Sequence, residues 1–186
     1  TSVFQKAINA CKATQTAVAG IENGGIASLH VPQGFYKITS SLVVSAVTGF
    51  RITGAGNKST IIAFDATSDD LFEITQYIDV KISDMMIATG TISFTGGLPS
   101  VNLPASRTNV SAKFNGDSGG TNFEWDNVSF GSFDKVFTTT SNIVNCDNHV
   151  HRHCRFYNNN YVWDNTNPQA VVWAFLNCKV FSTHTV

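Results

Sequence analysis

Val80-Lys-Ile82-Ser-Asp84-Met85-Met-Ile87 can be laid over Phe123-Glu-Trp125-Asp-Asn127-Val128-Ser-Phe130, over His149-Val-His151-Arg-His153-Cys154-Arg-Phe156, and over Trp173-Ala-Phe175-Leu-Asn177-Cys178-Lys-Val180. Each copy is a short run of large side chains at alternate positions, then a small or polar turn residue, then an apolar pair spaced by one. Alternation at period two marks a strand with one buried face. The copies begin 43, 26 and 24 residues apart, and a recurring step in the twenties is that of a solenoid built from short coils. The repeat predicts an all-β chain wound as a parallel β-helix.

Two segments extend the series toward the N-terminus. Phe50-Arg-Ile52-Thr-Gly54-Ala55-Gly56 keeps the alternation, with Gly54 where Asp84 stands later, and Ile26 to Ile38 gives two apolar runs broken by Pro32-Gln-Gly34, a strand, turn, strand signal. The long step coincides with a stretch rich in Gly, Ser, Thr, Asn and Pro, containing Gly96-Gly97, Pro99 and Pro104. It reads as a loop thrown out of one coil, with Ala112 to Asn115 rejoining as a strand. The expected organisation is one β-helix domain over residues 1–186: a capping region over 2–19, first coils over 26–87, a loop insertion over 88–111 and further coils over 112–186.

The opening residues have a different period. Ser2 and Gln5 fit a capping box, and Phe4, Ala7, Ile8 and Cys11 fall on one face at helical spacing. An amphipathic helix here would cover the first coil, whose strand edges and apolar end are otherwise open to association. The chain begins inside this helix cap and stops just after a coil strand, which reads as a fragment of a longer chain.

Charged residues make up only 13% of the sequence and the net charge is −1. The basic face that a nucleic-acid groove needs is absent from such a composition. No apolar run approaches the roughly 18 residues of a membrane helix. Abundant Asn, Ser, Thr and Gly suit recurrent tight turns and agree with an exported or virion-borne β-solenoid rather than a cytosolic enzyme.

Three constellations bear on chemistry. Glu124 and Asp126 point outward from one strand, about 7 Å apart; the template sets Arg152 beside Asp126 on the next coil, and Lys81 and Ser83 on the coil before. Such carboxylates could act as acid and base on a glycosidic bond, with Lys81 as a substrate contact. With arginine and calcium they could instead neutralise and deprotonate a uronic acid, while the plainest use is an exposed charge ladder. His149, His151 and His153 share one strand with the H-x-H spacing of a transition-metal site, but the template levels His149 and His151 with Phe123, Trp125, Trp173 and Phe175, so stacked interior imidazoles and no metal are expected. Gly116-Asp117-Ser118-Gly119-Gly120 has the look of a flanked nucleophile, yet no acid or base can be assigned to it, and a turn accounts for it.

Two columns are read as structural. Asp84, Asn127, His153 and Asn177 share one template position and are expected to form an interior polar ladder at a coil corner. Cys154 and Cys178 are equivalent positions one coil apart and are expected to stack as free thiols. Cys11 is expected under the cap helix, and Cys146 in a turn region.

The order of capping helix, Leu29-His-Val31-Pro32-Gln-Gly34-Phe35-Tyr36-Lys-Ile38, then Phe50 to Gly56 followed by Thr60-Ile61-Ile62, resembles the N-terminal part of pectate-lyase-like right-handed parallel β-helix proteins. That group includes polysaccharide lyases, glycoside hydrolases and phage tailspikes. The resemblance implies a right-handed single-stranded helix, a polysaccharide partner and, by likeness to tailspikes, a homotrimer. It implies no cofactor, apart from calcium for a lyase. The catalytic motifs of the hydrolases and lyases have no match here; Asp69-Asp70 stands outside their context. The expectation is a carbohydrate-directed domain of a tailspike or virion-surface depolymerase. The alternatives are a non-enzymatic structural or receptor-binding appendage of a virion or cell surface, or a secreted microbial polysaccharide-degrading enzyme.

Overall fold

A computed structural model describes residues 3–16, 27–66, 70–95, 98–104, 108–115, 120–140 and 145–181. Ser2, residues 17–19 of the capping region, Ile26, Asp69, Gly96, Gly97, Gly116 to Gly119 and the last five residues lie outside the described residues. One helix, α1 (Val3–Thr16), precedes strands that wind into a solenoid of about five turns.

The first strands are β1 (Ser28–Val31), β2 (Gly34–Ile38), β3 (Leu42–Thr48), β4 (Arg51–Gly54) and β5 (Thr60–Phe64), and β6 (Phe72–Thr89) then turns through the whole width of a coil. After it come β7 (Thr91–Thr95) and β8 (Leu98–Asn102), an antiparallel hairpin within the stretch read as a loop insertion. The coils resume with β9 (Val110–Phe114), β10 (Gly120–Gly131) and β11 (Lys135–Thr139). They continue with β12 (Cys146–Arg152), β13 (Arg155–Tyr157) and β14 (Tyr161–Asn165), then β15 (Trp173–Leu176) and β16 (Lys179–Phe181).

Pairing between coils is parallel throughout, and it builds three flanks. The first flank stacks β1, β4, the middle of β6, β10, β12 and β15. The second stacks β2, β5, the end of β6, the end of β10, β13 and β16. The third stacks β3, the start of β6, β9, β11 and β14. Val80, Phe123, His149 and Trp173 stand in register with one another, as do Ile82, Trp125, His151 and Phe175. The copies of the template are therefore successive layers of one flank.

The interior is aromatic. Trp125, Phe72, Phe123, Phe130 and Phe137 are fully buried, and the Trp125 ring centroid lies 5.2 Å from that of Phe130 and 5.3 Å from that of Phe123. Burying each such side chain stabilises the fold by about 1.5–3 kcal/mol. At the N-terminal end Phe4 and Ile8 of α1 reach this core. Gln5 meets the exposed edge of β3 as a strand would: its carbonyl accepts from Val43 N at 2.7 Å and its amide donates to Val43 O at 3.1 Å. The helix thus occupies an edge that could otherwise recruit another chain.

The corners explain the polar template position. Asp84, Asn127, His153 and Asn177 have φ of 58°, 54°, 53° and 54°, the left-handed region that Asn and Asp tolerate best among residues with a Cβ. This column is not interior, as the sequence alone suggests: Asp84 and Asn127 are half-buried, and His153 and Asn177 are exposed. The left-handed residue interrupts the in-out alternation, so the next residue, Val128 in β10, takes the inward place instead. The ladder is real where Asn127 Nδ2 donates to Asp84 Oδ1 at 2.8 Å and Asn57 Nδ2 to Asn127 Oδ1 at 3.0 Å. His153 leaves it for a carboxylate on the coil before, described below.

Asn127→Leu should therefore destabilise the fold by about 2 kcal/mol, from about 1–2 kcal/mol of left-handed strain plus the lost amide bonds. Asn127→Gly, free of the strain, should lose less in a denaturant melt. Equal losses for the two variants would dismiss the backbone as the reason for Asn at this corner.

Candidate functional site

The first flank carries the densest group of charges. On β10 the inward residues Phe123 and Trp125 alternate with Glu124 and Asp126, so both carboxylates face outward. Glu124 lies opposite Lys81 and Asp126 opposite Ser83 on β6, while Asp126 lies opposite Arg152 on β12. Lys81 Nζ bridges the two acids, 2.8 Å from Asp126 Oδ2 and 3.3 Å from Glu124 Oε1.

Arg152 does not pair with its register partner. Its Nε lies 3.4 Å from Glu124 Oε1, diagonally across the strands. Lys81 already occupies one oxygen of Asp126, and His153 Nδ1 lies 3.1 Å from the other. The four residues proposed from sequence, Glu124, Asp126, Arg152 and Lys81, are thus brought together. His153, read there only as a ladder residue, joins them.

The electrostatics follow from these contacts. Partial burial by itself would raise the Asp126 carboxyl, but the hydrogen bonds from Lys81 and His153, with their charges, outweigh it and hold Asp126 below the usual carboxylate range. Burial would lower Lys81, and its bonds to Asp126 and Glu124 more than offset that, so its ammonium is held above the ordinary lysine value. Asp126 is therefore a permanent anion near neutrality. It could act as a base or accept hydrogen bonds, whereas a general acid for glycoside cleavage needs a carboxyl pushed the other way. Calcium, which takes six to eight oxygen ligands, does not fit: the ammonium of Lys81 sits between the two carboxylates. Among the described residues no group of three or more His, Cys, Asp or Glu is placed to hold a metal.

Beside the charges runs a groove of about 160 Å³, lined by Arg51, Asp79, Lys81, Asn122, Glu124 and Asn148 among others. Its far wall is a second left-handed corner column, Asp79, Asn122 and Asn148, with φ of 54°, 60° and 55°. Asn122 Nδ2 donates to Asp79 Oδ1 at 2.9 Å, and Asn148 Nδ2 donates to Asn122 Oδ1. Arg51 closes one end, its Nη1 donating to Phe50 O at 3.2 Å and to Asp79 O. The template begins one residue after this column at Val80, Phe123 and His149. Extending each copy by a single position would have exposed the Asp-Asn-Asn series.

Of the three histidines, two are interior. His149 and His151 are fully buried; His149 stacks on Trp173 at 4.1 Å and His151 on Phe175 at 4.4 Å. Cys146 opens β12 and is buried rather than set in a turn, with its Sγ 3.4 Å from the Tyr77 hydroxyl and 3.6 Å from His149 Nε2. Tyr77 and His149 share a 2.6 Å hydrogen bond. Burial pushes the Cys146 thiol up to about 11, so this cluster holds neutral groups. Cys11, a residue of α1 itself, is half-buried against the core, its Sγ 3.9 Å from Ser28 O. No helix among the described residues is long and apolar enough to cross a membrane.

No protein-family model matches the chain, and no curated protein matches it. Among solved structures it is similar to a candidate glycosyl hydrolase from Parabacteroides merdae, with 15% identity and a TM-score of 0.40 over 91% of this chain and 89% of the other. It is also similar to a pectin methylesterase variant in complex with a hexasaccharide, with 11% identity and a TM-score of 0.41 over 90% and 73% of the two chains. At such identities and scores neither likeness bears on what this chain does.

Proposed function

We propose that this domain is carbohydrate-directed and holds a polysaccharide along its first flank, in the groove between the Asp79, Asn122 and Asn148 corner and the Lys81 and Glu124 side chains. The observation that supports it most is the concentration of hydrogen-bonding charge there: one ammonium, one guanidinium, one imidazole and two carboxylates in mutual contact on a chain with 13% charged residues. Each of these groups can exchange a partner on the protein for a sugar hydroxyl. The pectate-lyase-like resemblance of residues 2–64 supports a setting at a virion surface or outside the cell, and its likeness to tailspikes supports a homotrimer.

Of gripping and cutting, the state of Asp126 favours gripping. A carboxylate tied to Lys81 and His153 offers no proton to a leaving group. This supports the second reading, a non-enzymatic receptor-binding appendage, over a hydrolase that uses Asp126 as its acid.

The test is incubation with a panel of bacterial and plant polysaccharides, following new reducing ends, absorbance of unsaturated uronates, and binding. Reducing ends alone would mark a hydrolase, both chemical signals a lyase, and binding without either the gripping role. The Glu124→Gln, Asp126→Asn double variant should weaken binding, or turnover if there is any, at least tenfold. Its melting temperature should move little, because solvent-screened, half-buried ion pairs such as these contribute about 0–1 kcal/mol each. Unchanged binding by that variant would remove the first flank from the function.

A further inference from the structure

Cys154 and Cys178 hold matching places on neighbouring coils. Arg152 lies opposite Leu176 on one side of them and Arg155 opposite Lys179 on the other, and Lys179 N donates to Cys154 O at 2.9 Å. Each sulfur lies against a carbonyl oxygen of the coil before: Cys154 Sγ is 3.5 Å from Trp125 O and Cys178 Sγ 3.3 Å from His151 O. Trp125 and His151 are themselves register partners, so the two side chains leave the corner in the same direction.

Neighbouring strands run about 4.8 Å apart, within the separation of about 4.4–6.8 Å between Cα atoms that a disulfide spans. Neither cysteine belongs to a strand, since each follows a left-handed residue, His153 or Asn177. The ladder geometry that disfavours a bridge between adjacent parallel strands is therefore interrupted at this place. We propose that Cys154 and Cys178 are a redox-active pair, which a low-molecular-weight disulfide such as oxidised glutathione closes to a bond between the last two coils.

The order of events follows from position. Cys154 is buried, whereas Cys178 is half-exposed at the rim of an apolar hollow of about 380 Å³ walled by Phe156, Val162, Trp163, Phe175 and Val180. The hydrogen bond that the two thiols share draws Cys178 down to about 6 and pushes Cys154 the other way, so Cys178 is the first of the pair to lose its proton. The Cys178 thiolate attacks one sulfur of glutathione disulfide and releases one glutathione thiolate. Cys154, giving up its proton to that thiolate, then attacks Cys178 Sγ and displaces the second glutathione. Two protein thiols are oxidised and one small disulfide is reduced to two thiols.

The protein is treated with oxidised glutathione at neutral pH, its remaining thiols are alkylated, and the unreduced digest is mapped by mass spectrometry. The expected result is one cross-linked peptide pair joining Cys154 to Cys178, with two of the four cysteines still alkylated and a yield independent of protein dilution. Cys154→Ala should stop at a glutathione adduct on Cys178 and should slow iodoacetamide labelling of Cys178 at pH 7 at least threefold. Four alkylated cysteines in the parent protein, or a persistent adduct on Cys178 with Cys154 intact, would overturn the proposal. So would a Cys154→Ala variant whose Cys178 labels at the parental rate.

Discussion

Lowering the pH from 7 to 4 should cost this protein about 3 kcal/mol of stability through His151 alone. His151 is fully buried between Phe137 and Phe175, with ring centroids 4.4 Å away on either side, and burial drives it from 6.5 down to about 3. Above pH 6.5 the imidazole is neutral folded or unfolded and contributes no pH dependence. Between there and about 3 the unfolded chain binds a proton that the folded chain refuses, so stability falls by about 1.4 kcal/mol for each pH unit. His149 acts in the same direction, lowered first by burial and then by the neighbouring His151. Asp126 adds a loss that begins only lower: its folded carboxyl is held below the ordinary value, so its contribution is complete above that value and disappears as the pH falls through the depressed one.

His151→Phe isolates the main contributor. Neither ring nitrogen of His151 has a hydrogen-bond partner among the described residues, so the substitution breaks no bond. It also relieves two orphaned polar atoms, an effect of about 1–3 kcal/mol in favour of the variant at pH 7. Denaturant melts at half-unit steps should show the variant with a shallower loss between pH 6.5 and 4.5. Parallel curves for variant and parent over that window would mean that His151 titrates as if exposed, and that the interior placement is wrong.

The histidine placement was legible in sequence because it depends on register, which is what the repeat encodes. Once Phe123, His149 and Trp173 share a template position, side-chain period two leaves no other face for them. The same logic gave the charge cluster its members, since Lys81, Glu124, Asp126 and Arg152 are neighbours by register alone. It could not give their partners. Which acid Arg152 meets is decided by what already fills Asp126, a competition among long flexible side chains that no spacing records. The interior reading of Asp84, Asn127, His153 and Asn177 failed for a backbone reason: alternation was extended through a residue whose left-handed φ breaks it. Asn and Asp at that place were the available signal, because they are the residues that tolerate such a corner.

Trp125→Ala should be among the most damaging core substitutions, at about 4 kcal/mol. The indole is fully buried in β10 and touches rings from two of the flanks: Phe130 at 5.2 Å, Phe137 at 5.6 Å and Phe72 at 6.0 Å. Its removal leaves a void that β-ladders on three sides prevent from collapsing, so the cavity term adds to the lost transfer energy. Trp125→Phe should cost about 1 kcal/mol or less, because it keeps a ring in place and removes an indole N–H that has no partner among the described residues. In a solenoid each coil is stabilised chiefly by its neighbours, so weakening the β10 layer should also uncouple the coils on either side of it. The alanine variant is then expected to unfold in a broader transition with a smaller denaturant slope than the parent, a departure from two-state behaviour. A loss equal to that of Trp125→Phe would show that the interior repacks freely. A large loss with an unchanged slope would show that the coils unfold as one cooperative unit, with Trp125 reporting on the whole stack and not only on its own layer.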